Sequence, residues 1–458
     1  MIDPKIFKEY DIRGEYPWEI DEEAAYSIAR AFVKFKKVKK IVTARDARKE
    51  SRFVAEAFIR GLAESGCRVF DLGVDGTPAL FFTVGLGDFD GGAMVTASHN
   101  PDGYTGFKLC GQDGVPIGKA TGLEEIKKLR NQEIKKLKKP AKGRVLKETK
   151  KTINFLPDYY KFVTSFIDEK KIKPMKLVLD ASGGSAVKLI DYIFMRLPGQ
   201  VIKMNFKKGD RYPDHDLNPM MEKNRRSIQK EVKKQKARLG VIFDGDGDRC
   251  LFIDEKGNFV EPYYVNCLLS RIILKKKRGM KILVDARLPI GISEEIKNAG
   301  DRPVVGLSGY TNIIKLMREK RILFGCENSG HYFFNFGAMA GGKNFVYGDA
   351  IIPPLLILQY LSESGQKMSE AVDGFKKKYF ISGELNFKGK NFEKIKEKIK
   401  IKFAGRRMEE FDGLSVFGDD WFFNIRASKT EPLVRLNIEA KNKEDLAMMK
   451  KELLRVIK

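Results

Sequence analysis

One pattern recurs along this chain and restricts its fold more than any other: a short apolar run, a polar turn rich in Gly, Asp or Ser, and then a helical spacing of apolar residues. Such runs occupy residues 40–43, 67–72, 176–179 and 281–284. Strands that alternate with helices in this way usually pair in parallel, because each helix carries the chain back to the same end of the sheet. The pattern predicts α/β units with helix-covered, mainly parallel sheets.

The C-terminal part of the chain has a different pattern. Residues 421–426 and 433–439 alternate between apolar and polar like the strands of a hairpin, and 442–458 have the spacing of an amphipathic helix. This combination predicts an α+β module. Earlier in the chain, residues 24–36 and 223–239 also have helical spacing.

A chain of 458 residues has room for two to four domains. Changes of pattern and turn-rich seams divide this one into four, with predicted boundaries at 1–152, 153–254, 255–376 and 377–458. The first three are expected to be α/β domains and the fourth to be the α+β module.

The chain is strongly basic, with 86 Lys and Arg against 61 Asp and Glu, a formal net charge of +25. Residues 127–151 hold twelve Lys or Arg and two Glu. A basic patch can bind nucleic acid through phosphates, but this stretch lacks an aromatic residue to stack on bases. A surface helix with a lysine face is therefore favoured over a nucleic-acid interface.

Other features of composition exclude several classes of protein. The five cysteines lie far apart, which argues against a disulfide scaffold and favours a reducing cytoplasm. Three histidines nearly exclude a multi-histidine metal site. The most apolar stretch, residues 351–361, is eleven residues long with two prolines, too short to span a bilayer. We expect a soluble, cytoplasmic protein without a membrane partner.

The first motif with chemical potential is TASHNP at residues 96–101, after a strand-like run at 91–95. A serine where a strand gives way to such a loop is expected to be exposed, which makes Ser98 a candidate nucleophile or phosphate carrier. His99 is its chain neighbour, which is poor geometry for an ordinary serine–histidine pair. Alone, the motif favours a polar loop.

The second motif is FDGDGDR at residues 243–249, between two apolar runs. Asp244, Asp246 and Asp248 fall on one side of an extended loop, and the glycines between them let the backbone close around a hard cation. Without such an ion, three carboxylates at this spacing repel one another. Because Arg249 stands where an EF-hand needs glycine and strands flank the loop, an exposed Mg²⁺ site is favoured over a calcium EF-hand.

Two further motifs are weaker when taken alone. GCENSGH at 325–331 places polar side chains on a glycine-flanked loop, which suits hydroxyl recognition or a simple polar turn. RASKTEP at 426–432 combines a guanidinium, two hydroxyls, an ammonium and turn amides, a set that suits a phosphate dianion or a hairpin turn.

In this order and spacing, the four motifs closely resemble those of the α-D-phosphohexomutase family, in its phosphomannomutase/phosphoglucomutase branch. The resemblance covers essentially the whole chain and includes IFKEYDIRG at 6–14 and GFK at 106–108. It implies a heart-shaped arrangement of four domains around a central cleft. Three would be mixed-sheet α/β domains, and the last an α+β domain like the TATA-binding protein.

The resemblance also implies roles for individual residues. Ser98 would be phosphorylated in the active form, and one Mg²⁺ per chain would be bound by Asp244, Asp246, Asp248 and a phosphate oxygen on Ser98. Further catalytic positions would be Tyr10, Arg13, His99, Lys108 and Arg249. The implied substrate-binding positions are Glu327, Asn328, Ser329, His331, Arg287, Arg426, Ser428, Lys429 and Thr430.

The implied reaction interconverts the 1-phosphates and 6-phosphates of mannose, glucose or both. It passes through a phosphoserine enzyme and a hexose 1,6-bisphosphate, which also serves as activator. Phosphoryl transfer depends on positioning and charge stabilisation, and a carboxylate loop for Mg²⁺ with several nearby cations fits that need. Small-molecule hexose phosphates are the expected partners, and we expect a monomer or weak homodimer.

Some positions depart from the pattern of the branch. Tyr310 and Ile314 stand where a histidine and a lysine are common, Cys326 replaces a glycine, and Lys429 replaces an asparagine. These departures leave the preference between mannose and glucose open.

Two other enzyme activities are alternatives. The first is a phosphoglucosamine mutase, against which Ala427 and Lys429 in the last motif argue. The second is a Mg²⁺-dependent phosphohydrolase with water as the acceptor, which the polar loop 327–331 disfavours.

Overall fold

The structure is a computed structural model, and it describes residues 4–134, 150–207, 215–337, 345–428 and 433–457. The chain forms two compact units. The first comprises Met1–Phe259 with His331–Gly365, and the second comprises Val260–Gly330 with Gln366–Lys458. Within the described residues, no helix is both long and apolar enough to cross a bilayer.

The N-terminal domain is built on a six-stranded mixed sheet in the order β1-β5-β4-β2-β3-β6. Its strands are β1 (Ile12–Glu15), β2 (Lys40–Arg45), β3 (Arg68–Val74), β4 (Gly91–Val95), β5 (Tyr104–Gly111) and β6 (Lys150–Thr152), and its helices are α1 (Glu22–Lys36), α2 (Lys49–Glu64), α3 (Thr77–Leu86) and α4 (Leu123–Ile134). The centre is parallel, and β5 pairs antiparallel with both β4 and β1. Strand β4 is buried along its whole length, as expected for a strand covered on both faces.

The second domain has a five-stranded sheet in the order β11-β10-β9-β7-β8. Its elements are α5 (Leu156–Thr164), β7 (Met175–Asp180), α6 (Val187–Phe194), β8 (Gly199–Met204), α7 (Glu222–Gln235), β9 (Leu239–Phe243), β10 (Cys250–Ile253) and β11 (Phe259–Val260). Strands β7, β8 and β9 are parallel, and β9 and β10 form an antiparallel hairpin that carries the acidic motif.

The predicted helix over 223–239 was too long at its C-terminal end. Helix α7 ends at Gln235, where Lys236 takes a left-handed conformation with φ of 51°. A helix cannot continue through such a residue. Residue 239 already belongs to the buried strand β9, so periodicity alone merged a helix with the strand that follows it.

The third group of elements divides between the two units. The second unit holds α8 (Pro262–Lys276), β12 (Lys281–Asp285), α9 (Ile290–Asn298), β13 (Arg302–Gly306), α10 (Tyr310–Lys320) and β14 (Phe324–Cys326). There β12 pairs in parallel with both β13 and β14. The first unit holds β15 (Tyr332–Asn335) and β16 (Val346–Gly348), an antiparallel pair, and α11 (Ile352–Ser364).

The C-terminal domain follows α12 (Met368–Lys378) and is the predicted α+β module. It contains β17 (Phe380–Ile381), β18 (Leu385–Lys388), α13 (Phe392–Lys402), β19 (Arg407–Glu409), β20 (Leu414–Phe417), β21 (Trp421–Ala427), β22 (Leu433–Ala440) and α14 (Lys443–Ile457). The sheet is antiparallel in the order β17-β22-β21-β20-β19, with β18 also paired to β22. The predicted classes of all four domains are confirmed, while the boundaries proposed between them stay a prediction.

The antiparallel contact between β1 and β5 depends on a glycine. Arg13 lies opposite Gly106, and a Cβ atom built on Gly106 would lie 2.0 Å from the carbonyl oxygen of Ile12. No real Cβ atom approaches an oxygen so closely. The strand that carries Arg13 can therefore pair at this distance only while residue 106 lacks a side chain.

We expect Gly106→Ala to lower stability by about 1–3 kcal/mol, because the strands must separate to admit the methyl group. Gly374→Ala is the matched control, since its Cβ would meet nothing within 4 Å inside α12, and alanine there should be neutral or stabilising by up to about 1 kcal/mol. Chemical denaturation of both variants measures the difference. Equal stability of the two would contradict this account of the contact.

Candidate active site

Ser98 lies just past the end of β4, in a left-handed conformation with φ of 54°. Its amide donates to Oγ1 of Thr96 at 2.8 Å, and its hydroxyl donates to Oδ1 of Asp246 at 2.9 Å. The expectation of an exposed serine was wrong, because only 2% of Ser98 is exposed. The acidic loop of the second domain packs over it, which a loop motif in one domain cannot reveal.

Arg48, which the sequence motifs did not single out, holds the loop that carries Ser98. Its guanidinium donates to the carbonyl oxygens of Ser98, Asn100 and Pro101 at 3.1, 2.5 and 2.6 Å. Asp46 in turn lies 3.2 Å from Nε of Arg48. A buried arginine on three carbonyls fixes the loop with charge-assisted hydrogen bonds. The available signal was the sequence ARDAR at residues 44–48, which runs from the end of β2 into the loop that follows.

The three aspartates of the acidic motif converge in the turn between β9 and β10. Each offers a carboxylate oxygen, and these atoms all lie within 4.8 Å of one another. Oδ1 of Asp244 accepts hydrogen bonds from the amides of Asp248 and Arg249, both at 3.1 Å, which closes the loop. The expectation of an exposed site was wrong, since all three are at most 1% exposed.

The carboxylate loop fits a hard divalent cation. Oδ2 of Asp244 and Oδ1 of Asp248 are buried and accept no hydrogen bond from the described residues. Burial, together with the charges of Asp248 and Asp246, raises the pKa of Asp244 well above its usual range. Buried oxygens with unused lone pairs and mutually repelling charges are the donor set that Mg²⁺ or Ca²⁺ stabilises.

Two basic side chains border the same loop. Nζ of Lys108 donates to Oδ2 of both Asp246 and Asp248 at 2.6 Å. Burial alone would lower the pKa of Lys108, but these two carboxylates raise it instead, so the ammonium stays charged. Nε of Arg249 lies 3.5 Å from Oδ2 of Asp244. Positive charge is thus available on the side of the loop where Ser98 lies.

Both histidines of the site contact Arg249. Its Nε donates to Nε2 of His331 at 3.1 Å, and its Nη2 lies 2.8 Å from Nδ1 of His99. His331 is also 3.4 Å from Oδ1 of Asp248, so it belongs beside the carboxylate loop. Burial and then Arg249 lower the pKa of His99 well below its usual value, which leaves its ring neutral and able to accept from Arg249.

Hydrogen bonds from two residues outside the acidic motif hold the carboxylate loop in place. The hydroxyl of Ser182 donates to the carbonyl of Phe243 at 2.5 Å. The amide and the hydroxyl of Thr77 donate to the carbonyl oxygen and to Oδ2 of Asp246, at 2.8 and 2.6 Å. Sequence reasoning missed Thr77 and Ser182, because their partners are more than 60 residues away in the chain.

Arg13 reaches the serine loop from β1. Its Nη1 donates to Oδ1 of Asn100 at 2.7 Å, and its Nη2 pairs with Asp11. Tyr10 lies in the bend directly before β1. The structure therefore brings Arg13 together with Ser98, His99, Lys108 and the carboxylate loop within the first unit.

The second unit carries a separate group of predicted residues at the ends of β12 and β14. Asp285 accepts from Nε of Arg287 with both oxygens at 2.9 Å, and its Oδ2 accepts from the amide of Asn328 at 3.2 Å. Oε1 of Glu327 accepts from the amide of Gly309 at 2.8 Å, and its Oε2 lies 3.5 Å from Oγ of Ser329. Glu327 is thus held by backbone on one side and beside a hydroxyl on the other.

Arg426, at the end of β21, belongs to a cluster of arginines in the same unit. Glu384 lies 3.7 Å from Nη1 of Arg287, 3.9 Å from Nη2 of Arg426 and 3.1 Å from Nη1 of Arg435. Burial and then the charge of Arg287 lower the pKa of Arg426. Sequence reasoning missed Glu384 and Arg435, although Arg435 lies opposite Arg426 in the β21–β22 register.

The remaining residues of the last motif are only partly described. The amide of Ser428 donates to the carbonyl of Leu433 at 2.8 Å, which closes the end of the β21–β22 hairpin. Lys429 and Thr430, both predicted to bind substrate, lie outside the described residues.

One departure from the family pattern, Ile314, has a structural explanation. Ile314 is fully buried in α10, whereas its neighbour Lys315 is mostly exposed and lies 3.9 Å from Glu319. Residue 314 is thus a core position here, and Lys315 does not take its place. Tyr310 begins the same helix.

Models of the phosphoglucomutase/phosphomannomutase α/β/α domains I, II and III match residues 4–136, 157–257 and 261–379, and the model of the C-terminal domain matches 384–456. This chain belongs to the phosphoglucomutase/phosphomannomutase family. A phosphomannomutase from Vibrio cholerae is 35% identical, with 100% of this chain and 99% of that protein covered. One from Methanocaldococcus jannaschii is 34% identical, with 99% and 98% covered.

A solved structure supports the same assignment. A phosphoglucomutase/phosphomannomutase family protein from Burkholderia thailandensis superimposes with a TM-score of 0.87 at 26% identity, covering 100% of this chain and 97% of that one. The family predicted from the four motifs is therefore confirmed.

We expect Asp246→Asn to weaken Mg²⁺ binding at least about tenfold, because an oxygen site loses affinity for a cation when one of its charged ligands is replaced by a neutral one. Isothermal titration with Mg²⁺ measures this directly, without an activity assay. Asp216→Asn is the matched control in the same domain, since Asp216 is largely exposed and pairs with Lys223 at 2.6 Å. If both variants bind Mg²⁺ like the unmodified protein, the loop is a polar turn.

Proposed function

We propose that this chain is a phosphohexomutase that interconverts the 1-phosphates and 6-phosphates of mannose, glucose or both. The observation that carries the proposal is the 2.9 Å hydrogen bond between Ser98 Oγ and Asp246 Oδ1, because it joins the candidate phosphoserine to the carboxylate loop. Family membership over the whole chain, with relatives named phosphomannomutase, supports the class of reaction.

In the proposed first transfer, the P–Oγ bond of phospho-Ser98 breaks while phosphorus bonds to a free hydroxyl of the hexose monophosphate. The hydroxyl gives up its proton, and Ser98 Oγ gains one. When Ser98 is phosphorylated again, it must release that proton. The sugar oxygen that loses its phosphoryl group in that return transfer gains a proton, so protons balance over the whole cycle.

Charge on the transferring phosphoryl group has to be offset. Mg²⁺ held by Asp244, Asp246 and Asp248 would supply Lewis-acid stabilisation of its oxygens. Lys108 and Arg249 add fixed positive charge next to the same loop. Their hydrogen bonds to protein groups hold them in place before the substrate arrives, which is the preorganisation that such electrostatic catalysis requires.

Substrate recognition is proposed to lie in the second unit. Glu327 and Ser329 would accept and donate hydrogen bonds to sugar hydroxyls, and Arg287 and Arg426, with Ser428, Lys429 and Thr430, would bind the non-reacting phosphate. The 1,6-bisphosphate intermediate then exchanges its two ends and returns the other phosphate to Ser98. Such a site has to bind phosphate at either end of the sugar, so it must recognise features common to both orientations.

Three further points stay proposals. The bisphosphate would serve as activator, because it can phosphorylate Ser98. We also propose a cytoplasmic location, which the five buried, unpaired cysteines support, and a monomer or weak homodimer as the state in solution.

We expect Ser98→Ala to lower kcat by about a thousandfold or more, because the covalent phosphoryl carrier is removed. The measurement is a coupled assay with mannose 1-phosphate and with glucose 1-phosphate, each with a trace of the 1,6-bisphosphate. Mass spectrometry of the unmodified protein should find one phosphate on the peptide that contains Ser98. Ser65→Ala, at the end of α2, is the control and should keep both activity and phosphate.

Full turnover by the Ser98→Ala protein would refute the phosphoserine mechanism. Release of inorganic phosphate without isomerisation, by the unmodified protein, would instead favour a phosphohydrolase.

A further inference from the structure

The carboxylate of Glu384 lies among three arginines of the second unit and has no assigned role. Its oxygens are 3.1 Å from Arg435, 3.7 Å from Arg287 and 3.9 Å from Arg426. Arg287 and Arg426 belong to the proposed phosphate-binding group. A carboxylate of the protein itself therefore already lies beside the arginines that the substrate phosphate needs.

The arginines of this cluster differ in how well they are neutralised. Arg287 donates to Asp285 through Nε and Nη2 and is nearly buried, so its charge is balanced within the protein. Nε of Arg426 is buried and has no acceptor among the described residues. Its guanidinium lies 3.9 Å from Glu384, outside hydrogen-bond distance. Arg426 is thus a member of the cluster with unused capacity to donate to a second anion.

Glu384 is held less tightly than Asp285. The Glu384 side chain is 26% exposed, whereas Asp285 is fully buried. Asp285 accepts from Arg287 with both oxygens, while the shortest contact of Glu384 to an arginine is 3.1 Å. A partly solvated carboxylate at the edge of a cation cluster costs little to move, so it can yield to a stronger anion.

Resting on the proposed function, we propose that Glu384 is a counter-ion that competes with the substrate phosphate for Arg287, Arg426 and Arg435. It thereby limits the affinity of this cluster for phosphate. A dianionic phosphate that enters the cluster meets the repulsion of this carboxylate as well as the attraction of the arginines.

This competition affects two steps of the proposed mutase cycle, the exchange of ends and product release. The intermediate must release one phosphate from the cluster and present the other, so binding that is too strong slows the exchange of ends and product release. Extra affinity that is equal in ground state and transition state lowers KM without raising kcat. Glu384 is accordingly a positioning residue that acts through the arginines rather than on the reacting atoms.

The test is Glu384→Gln, which keeps the size of the side chain and removes its charge. Isothermal titration with inorganic phosphate should give a Kd lower by about fivefold or more, the factor expected for removing one like charge a few ångströms from the anion. The difference should shrink in high salt. In the coupled assay, KM for the hexose 1-phosphate and kcat should both fall.

Glu410→Gln is the matched control. Glu410 lies in the same domain and pairs with Lys396 at 2.5 Å and Lys400 at 2.8 Å, neither of which belongs to the arginine cluster. The phosphate affinity, KM and kcat of the Glu410→Gln protein should equal those of the unmodified protein. In an Arg426→Gln background, Glu384→Gln should have a much smaller effect, which locates the gain at this cluster.

Phosphate binding that is unchanged or weaker in Glu384→Gln would overturn the proposal, because Glu384 would then be neutral to the site or needed to order the arginines. An equal gain in Glu410→Gln would also overturn it, since the cause would be net charge. The phosphate titration measures binding alone and does not require catalytic turnover. If the unmodified protein isomerised no hexose phosphate, the proposed function would fail, while the titration would still decide the role of Glu384.

Discussion

The first unit is organised around the cost of burying three carboxylates in one turn. Asp244, Asp246 and Asp248 are almost inaccessible to water, and burial of like charges at this spacing is strongly unfavourable unless cations or hydrogen bonds compensate. Lys108 contributes an ammonium from β5, Arg249 a guanidinium, and backbone amides close the loop. The surplus of buried oxygen lone pairs that remains is what makes the loop a candidate for a divalent cation.

The loops that carry the site share one hydrogen-bonded turn. At the ends of the parallel strands β2, β7 and β12, an aspartate is followed by alanine, and its Oδ1 accepts the amide two residues on. These aspartates are Asp46, Asp180 and Asp285. Such turns direct the chain sharply out of the sheet. In each α/β domain, the residue two positions after the aspartate contributes to the site. Arg48 holds the serine loop, Ser182 hydrogen-bonds to the carboxylate loop, and Arg287 joins the arginine cluster.

The two units contain clusters of opposite charge. The turn of the first unit concentrates carboxylates, and Lys108 from β5 and Arg249 from the turn itself lie beside them. The second unit concentrates guanidinium groups, with Asp285 fully buried against one of them and Glu384 loosely placed beside three. The first arrangement suits a metal and the phosphoryl group that reacts, and the second suits a phosphate that is only held. That division supports the proposed assignment of roles.

The sequence alone determined the class of each domain, because apolar periodicity and turn residues act over a few neighbouring positions. It also predicted roles for Ser98, the three aspartates and Arg426, because four short motifs in this order and spacing are far more specific than any one of them. It failed where contacts join distant segments. It misjudged the exposure of Ser98 and of the carboxylates, and it passed over Arg48, Thr77, Ser182, Glu384 and Arg435. Burial and electrostatic partners depend on which segments meet in space, so only the tertiary structure decided them.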